Sequence, residues 1–322
     1  MSGANASPTG RSHQEMSGAN ASPTGRSHQE MSGANASQDA ERKRDSAQPK
    51  DAERKRDSAQ PKERTSHQEM TSVTFQVWRG ARGEGQFIKY TTEISEGMVV
   101  LDAIHKIQAE QANDLAVRWN CKAGKCGSCS AEINGMPRLM CMTRMNELPT
   151  DKPVLVEPMK SFPHIRDLVT DVSWNYEVKK TIKKFKPRPP DNPDGSWRIF
   201  QEDIDRVQEF RKCIECFLCQ DVCHVLRDHR LQKQFIGPRF FVYVAALEMH
   251  PLDVENRVED LKKSEGIGYC NITKCCTAVC PESIKITDNA IIPLKERVVD
   301  EFYDPIRRLF RRFKTAPSKK EG

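Results

Sequence analysis

The sequence has no long hydrophobic run. Its longest uncharged apolar stretch, Phe240-Phe-Val-Tyr-Val-Ala-Ala-Leu247, covers eight residues. About 20 are needed to cross a bilayer as a helix, so this stretch reads as a core helix, and membrane association is expected only through partners. The first residues contain no apolar core of the signal-peptide kind and too many acids for a transit peptide. A dominant charge sign is missing too: Lys+Arg 51 against Asp+Glu 45 leaves +6 over 322 residues. The basic runs Arg42-Lys43-Arg44 and Arg54-Lys55-Arg56 are nearly cancelled by interleaved Asp and Glu, which argues against nucleic acid as a partner.

Residues 1–71 lack apolar periodicity altogether. Met1–Glu15 recurs identically at Met16–Glu30, and Asp39–Lys50 at Asp51–Lys62. Such polar repeats bury too little apolar surface to offset the entropy of ordering, so a disordered tail is expected. The rest, with 37% hydrophobic residues overall, has room for two modest domains.

What is abundant is cysteine: 12, in a chain without an evident secretion signal, which points to metal chemistry in a reducing compartment. The run Cys213-Ile-Glu-Cys216-Phe-Leu-Cys219-Gln-Asp-Val-Cys223 has the spacing C-x2-C-x2-C-x3-C. Three thiolates so spaced curl around one iron–sulfur cubane, while the fourth cysteine serves the neighbouring cluster. The missing corner falls to Cys280, followed by Pro281. Cys223 then pairs with Cys270 and Cys276. The stretch Cys270-Asn-Ile-Thr273-Lys-Cys275-Cys276 repeats the loop with threonine at its middle position, a poor iron ligand, so a 3Fe-4S cluster is expected there beside a 4Fe-4S cluster on Cys213, Cys216, Cys219 and Cys280. Cys275 is left over, its side chain expected to point away from that of Cys276. Upstream, Cys121-x4-Cys126-x2-Cys129 with Cys141 after eleven residues is the plant-type 2Fe-2S spacing. Gly124 and Gly127 allow backbone amides to approach its sulfurs. Four, four and three thiolates use eleven of the twelve. Structural zinc in a binding protein is the alternative of a different class, though C-x4-C-x2-C suits neither common zinc spacing nor local disulfides.

Around the upstream motif, Val73, Phe75 and Val77 alternate as a strand, joined by a Gly80–Gly85 turn to a second strand over Phe87–Ile94. Met98–Gln111 has helical periodicity, Ala131–Asn134 runs into an Asn-Gly hairpin, and Pro153–Pro158 holds another strand. The Pro-rich segment 186–195 reads as a surface loop. Helices are expected over Phe200–Arg211, Pro238–His250, Val254–Lys263 and Leu294–Phe313. The class is therefore α+β.

These three motifs, in this order, closely resemble the iron–sulfur subunit of succinate dehydrogenase and fumarate reductase, from about Ser72 to Arg312, with Phe235-Ile-Gly-Pro238 and Cys280-Pro281 also fitting. The resemblance implies a β-grasp 2Fe-2S ferredoxin domain (72–168) and an α-helical ferredoxin domain (169–315), between the 1–71 and 316–322 tails. It further implies a complex with a FAD-containing flavoprotein and a membrane anchor, at the cytoplasmic face of a bacterial inner membrane. Electrons would pass between succinate or fumarate and a membrane quinone. A stand-alone ferredoxin carrier is the other reading, but three unlike clusters suit a fixed conduit better. The chain departs from the family at His224, where many members have proline, and at Asn271, often histidine. Arg227 and Asp228 replace the aromatic pair of ubiquinone users. His224, Asn271 and Thr273 are the quinone-pocket candidates, and menaquinone is favoured. Arg227, His229 and Arg230 read either as ligand contacts or, preferably, as a solvated helix face. The segment Pro305–Phe313, with its cationic pairs and apolar residues, could rest on anionic lipid or pack on the domain.

Overall fold

The computed structural model describes residues 70–305, which all fall in one compact unit. The expected disordered tail and most of Pro305–Phe313 lie outside the described residues; Thr71 already begins a strand.

A seven-stranded mixed sheet comes first. Strands β1 (Thr71–Ala81) and β2 (Glu84–Ile94) form a long antiparallel hairpin that buries Val73, Phe75 and Val77, as their alternation predicts. The strands run further than expected, through to a two-residue Arg82-Gly83 turn. Next come β3 (Ser130–Ile133), β4 (Met136–Leu139), β5 (Val154–Glu157), β6 (His164–Arg166) and β7 (Val169–Thr170). The order is β4-β3-β5-β1-β6-β7, with β2 also on β1; β1 and β5 are parallel and the other pairs antiparallel. The Asn134-Gly135 turn has φ of +51° and +79°, as a two-residue primed turn requires. The sheet continues through β7, two residues past the expected boundary at 168.

Helix α1 (Val100–Glu110) packs Val100, Leu101, Ile104 and Ile107, each 1% exposed or less, into the core of the sheet. Burial of each such side chain stabilises by about 2 kcal/mol. The Asp102 carboxylate accepts from the Val99 backbone N–H, tying off the helix start.

The second part is helical: α2 (Ser173–Thr181), α3 (Gln201–Gln208), α4 (Leu218–Asp221), α5 (His224–Arg227), α6 (Pro238–Glu248), α7 (Val258–Lys263), α8 (Cys275–Ala278) and α9 (Ile292–Phe302). Its core centres on α6, whose Phe240, Phe241, Val242, Val244 and Ala245 are all buried; the apolar run is a core helix. Among the described residues no helix is long and apolar enough to cross a membrane.

One helix is shorter than its periodicity suggests. The one expected over Val254–Lys263 begins at Val258, because the Asp253 and Asn256 carboxyl and amide oxygens cap local N–H groups at Glu255 and Val258 in turns that compete with helix. Helix α9 begins at Ile292 and breaks after Phe302, ahead of Asp304-Pro305, since the residue preceding a proline is driven out of helical geometry; most of the remainder of the expected Leu294–Phe313 helix lies outside the described residues.

Candidate metal centres

The loop after α1 carries Cys121, Cys126 and Cys129, and the β3–β4 hairpin returns the chain so that Cys141 comes beside Cys129, with Met140 N–H on the Cys129 carbonyl at 3.1 Å. That hairpin accounts for the eleven-residue gap in the motif. Five backbone N–H groups aim at three of the sulfurs. Ala123 and Lys125 donate to Cys121 Sγ at 3.3 Å each, Gly124 to Cys141 Sγ at 3.3 Å, and Cys121 and Ser128 to Cys126 Sγ at 3.5 Å each. Backbone donors converging on sulfur stabilise anionic sulfur and tune the potential of a cluster held there. Burial acts against ionisation of Cys126, but bonds from Ser128 and Cys121 outweigh it and bring the thiol down to about 6. Burial pushes Cys129 up to about 12.

In the helical part, Cys213, Cys216, Cys219 and Cys280 border one small cavity of about 20 Å³. A second of about 10 Å³ is bordered by Cys223, Cys270, Cys275 and Cys276. Helix α4 ends its first turn between the two, placing Cys219 on one cavity and Cys223 on the other, as the x3 spacing requires. Burial pushes the thiols of Cys216 and Cys223 up to about 12 and Cys276 to about 11. As free thiols they keep their protons at neutral pH, so metal capture there must release them. Arg239, 5% exposed, borders the first cavity, and its buried Nε has no hydrogen-bond partner among the described residues. An anionic group in that cavity would meet it. The donor sets, four cysteines around each cavity, thus fit thiolate-held clusters.

The two loops share one backbone trace. Glu215 (φ +56°) and Phe217 (+62°) flank Cys216; Ile272 (+63°) and Lys274 (+61°) flank Thr273. Each loop then enters a four-residue helix, α4 or α8. Left-handed backbone at a non-glycine residue costs about 1 kcal/mol or more, so four instances in matching places mark a shape held for a purpose. Thr273 stands where Cys216 stands.

Sequence reading missed these strained positions, which carry no glycine to announce them. It also misjudged two side chains. Cys275 does not turn away: it borders the second cavity with the other three cysteines, and Thr273 Oγ1 donates to its Sγ at 3.3 Å. Arg227 is not on a solvated face. Its Nη1 and Nη2 reach Glu132 Oε1 and Oε2 at 2.8 and 3.0 Å, and Glu132, on β3, is fully buried. Lys160 Nζ reaches Glu132 Oε2 at 3.2 Å. Helix α5 ends at Arg227, so His229 and Arg230 lie beyond it, exposed, with Arg230 bonded to the Lys160 carbonyl. Burial, with Glu132 nearby, pushes the Asp221 carboxyl up. Of the quinone candidates, His224 and Thr273 border the second cavity; Asn271 is exposed on the same loop and does not border it.

The cysteine sets also touch across the two parts of the chain. Gly127 packs against the backbone of Cys216, the Ser130 hydroxyl donates to the Cys216 carbonyl at 2.9 Å, and Lys125 pairs with Glu282 at 3.0 Å. A larger cavity of about 820 Å³, lined by Trp78, Phe162, Trp174 and Arg230 among others, contains no cysteine and lies apart from this chemistry.

Residues 74–177 match the family described as a 2Fe-2S iron-sulfur cluster binding domain, and residues 209–284 that of a 4Fe-4S dicluster domain. The chain is 32% identical over 203 residues to the fumarate reductase iron-sulfur subunit of Mycobacterium tuberculosis (strain CDC 1551 / Oshkosh), covering 62% of this chain and 80% of that protein. It is 28% identical over 190 residues to the succinate dehydrogenase iron-sulfur subunit of Bacillus subtilis (strain 168), covering 56% of this chain and 71% of that one. Some archaeal relatives are longer, and the chain spans less than half of them: an iron-sulfur protein of Methanococcus maripaludis is 28% identical over 216 residues, 66% of this chain and 42% of that protein. A chain in the apo Sdh1 complex of Mycobacterium smegmatis superposes with a TM-score of 0.71 at 60% identity, over 74% of this chain and 99% of that one.

Proposed function

The chain belongs to the iron–sulfur subunits of succinate dehydrogenase and fumarate reductase, and on that premise we propose that it is the electron conduit between a FAD-containing flavoprotein and a membrane quinone. In this reading a β-grasp 2Fe-2S domain over 72–168 precedes an α-helical ferredoxin domain over 169–315. Cys121, Cys126, Cys129 and Cys141 hold a 2Fe-2S cluster, Cys213, Cys216, Cys219 and Cys280 a 4Fe-4S cluster, and Cys223, Cys270 and Cys276 a 3Fe-4S cluster. Such clusters supply one-electron redox steps with little reorganisation. The observation that carries the proposal is continuity: the first cysteine loop touches the second at Gly127 and Cys216, and α4 joins the second cysteine set to the third.

The protein's own part is to hold these groups close and in fixed order. Backbone donors and Arg239 set the electrostatics around the sulfurs, and the buried thiols give up their protons on loading. The 2Fe-2S loop, with Cys121 exposed, would face the flavoprotein. The Cys270–Cys276 loop, with Tyr269 and Ile272 half-exposed beside it, would face the membrane anchor at the cytoplasmic side of a bacterial inner membrane. His224, Asn271 and Thr273 would then lie nearest the quinone. The ion pair at Arg227, where ubiquinone users carry an aromatic residue, supports menaquinone, because that side chain is committed to Glu132 and is not presented to a quinone ring.

Replacing His224 and Asn271 with alanine should cut quinone reduction by the assembled complex several-fold while leaving succinate oxidation by a dye that accepts from the flavin intact. Equal loss of both activities would show that these residues serve assembly.

A further inference from the structure

Four cysteines, not three, surround the second cavity, and the fourth is beside the corner that lacks a thiolate. Cys275 borders that cavity with Cys223, Cys270 and Cys276. Thr273 matches Cys216 in backbone trace and so marks the open corner, and its hydroxyl lies 3.3 Å from Cys275 Sγ. The matching residue of the first loop, Leu218, is turned into the core at 1% exposure, whereas Cys275 is only partly buried and reachable from solvent. A leucine in that place would have packed; a thiol there faces the cavity instead.

We propose that Cys275 is a reserve ligand, through which the third cysteine site takes up a fourth iron when its cluster is reduced and ferrous iron is present. The inference rests on the three-iron assignment above and extends it. The step balances without further reagents. One electron, arriving by the subunit's own electron-transfer route, brings the three-iron cluster from a core charge of plus one to zero. An Fe²⁺ ion then enters the open corner, giving a four-iron core of charge plus two. An iron–sulfur bond forms to Cys275, whose thiol proton leaves to solvent; no bond within the cluster breaks. Loading in this way converts a corner that no protein group holds into one held by thiolate; gentle reoxidation leaves the plus-two core intact, and only an added oxidant such as ferricyanide, taking one further electron, would release Fe²⁺, restore the plus-one three-iron core and return a proton to Cys275. The site would therefore respond to iron supply and redox state together, with Cys275 holding the added iron.

The test uses the purified whole complex, held anaerobically, reduced with dithionite with or without ferrous ammonium sulfate, desalted and gently reoxidised. The readouts are the oxidised-state EPR signal of the three-iron cluster and iron per protein. The expected result is that added iron removes most of that signal from the wild type and raises bound iron by one atom per chain, whereas Cys275→Ser keeps the signal and gains no iron. Cys275→Ser should also keep full cluster content before treatment, so its response is not a folding defect. A wild-type signal unchanged by iron, or equal loss of it in Cys275→Ser, overturns the inference while leaving the three-iron assignment standing. If the signal is missing before any treatment from both the wild type and Cys275→Ser, the assignment and the inference fall together.

Discussion

Replacing Gly127 with alanine should force the first two cysteine sets apart and slow electron passage between them. Gly127 has φ +68°, and an added Cβ would lie 2.5 Å from Cys216 Cα and 3.0 Å from its N, both backbone atoms that cannot swing aside. The left-handed backbone costs roughly 1–2 kcal/mol for alanine, and overpacking against backbone roughly 1–3 kcal/mol more. Gly124 is the internal control. It has a similar φ of +66°, but its Cβ would meet the Met142 side chain at 2.9 Å, a flexible end on an exposed residue. Gly124→Ala should therefore show the backbone cost alone. Thermal unfolding of the two variants, with turnover to quinone and to a flavin-accepting dye, separates strain from displacement. Gly127→Ala should lose quinone turnover with dye turnover kept, and Gly124→Ala should lose little of either. If both variants behave alike, the contact at Cys216 does not set the spacing.

The second large effect is expected at Arg227. Glu132 is fully buried and its carboxylate is held by a bidentate Arg227 and by Lys160, whose side chain is 43% exposed. Removing one partner of a buried pair costs about 3–5 kcal/mol, because a buried charge is left behind. Lys160 retains part of the compensation, so the low end, about 3 kcal/mol, is the expectation for Arg227→Ala. That corresponds to a fall of roughly 10 °C in melting temperature for a domain pair of this size. Arg227→Ala combined with Glu132→Leu should recover most of the loss, since the stranded charge is gone. A double variant as unstable as the single would mean that the site matters through packing and not through the ion pair.

Much of the centre was legible in the sequence because cluster ligation is a local matter. In the first two sets three cysteines lie on one short loop, and in the third two do, so spacing groups most of them, and the hairpin signal at Asn134-Gly135 explains how Cys141 rejoins its partners. The helix over α6 and the strand alternation in β1 follow from apolar periods that one core side imposes. What could not be read depended on contacts distant in sequence. Arg227 looks like any helix-end cation until Glu132, 95 residues earlier, is found beneath it. The strained residues Glu215, Phe217, Ile272 and Lys274 give no sign of themselves, because the left-handed region is usually announced by glycine and here it is held by the surrounding fold. Cys275 was misread for a related reason. The backbone entering α4 is the same, yet Leu218 packs into the core there while Cys275 borders the cavity, so the side chain and its surroundings decide the outcome and spacing alone does not show it. Short helices were overestimated where side-chain caps at Asp253 and Asn256 competed with the backbone ladder.

The central claim is that three unlike cysteine sets hold three unlike clusters in one continuous conduit. Its most direct test is EPR spectroscopy of the purified complex, oxidised and then reduced first by succinate and next by dithionite, with Cys276→Ser measured alongside. The account predicts a three-iron signal in the oxidised wild type that disappears on reduction, and 2Fe-2S and 4Fe-4S signals that appear on reduction. It predicts that Cys276→Ser lacks only the first of these. Bound zinc in place of iron, or a three-iron signal that survives in Cys276→Ser, would contradict it.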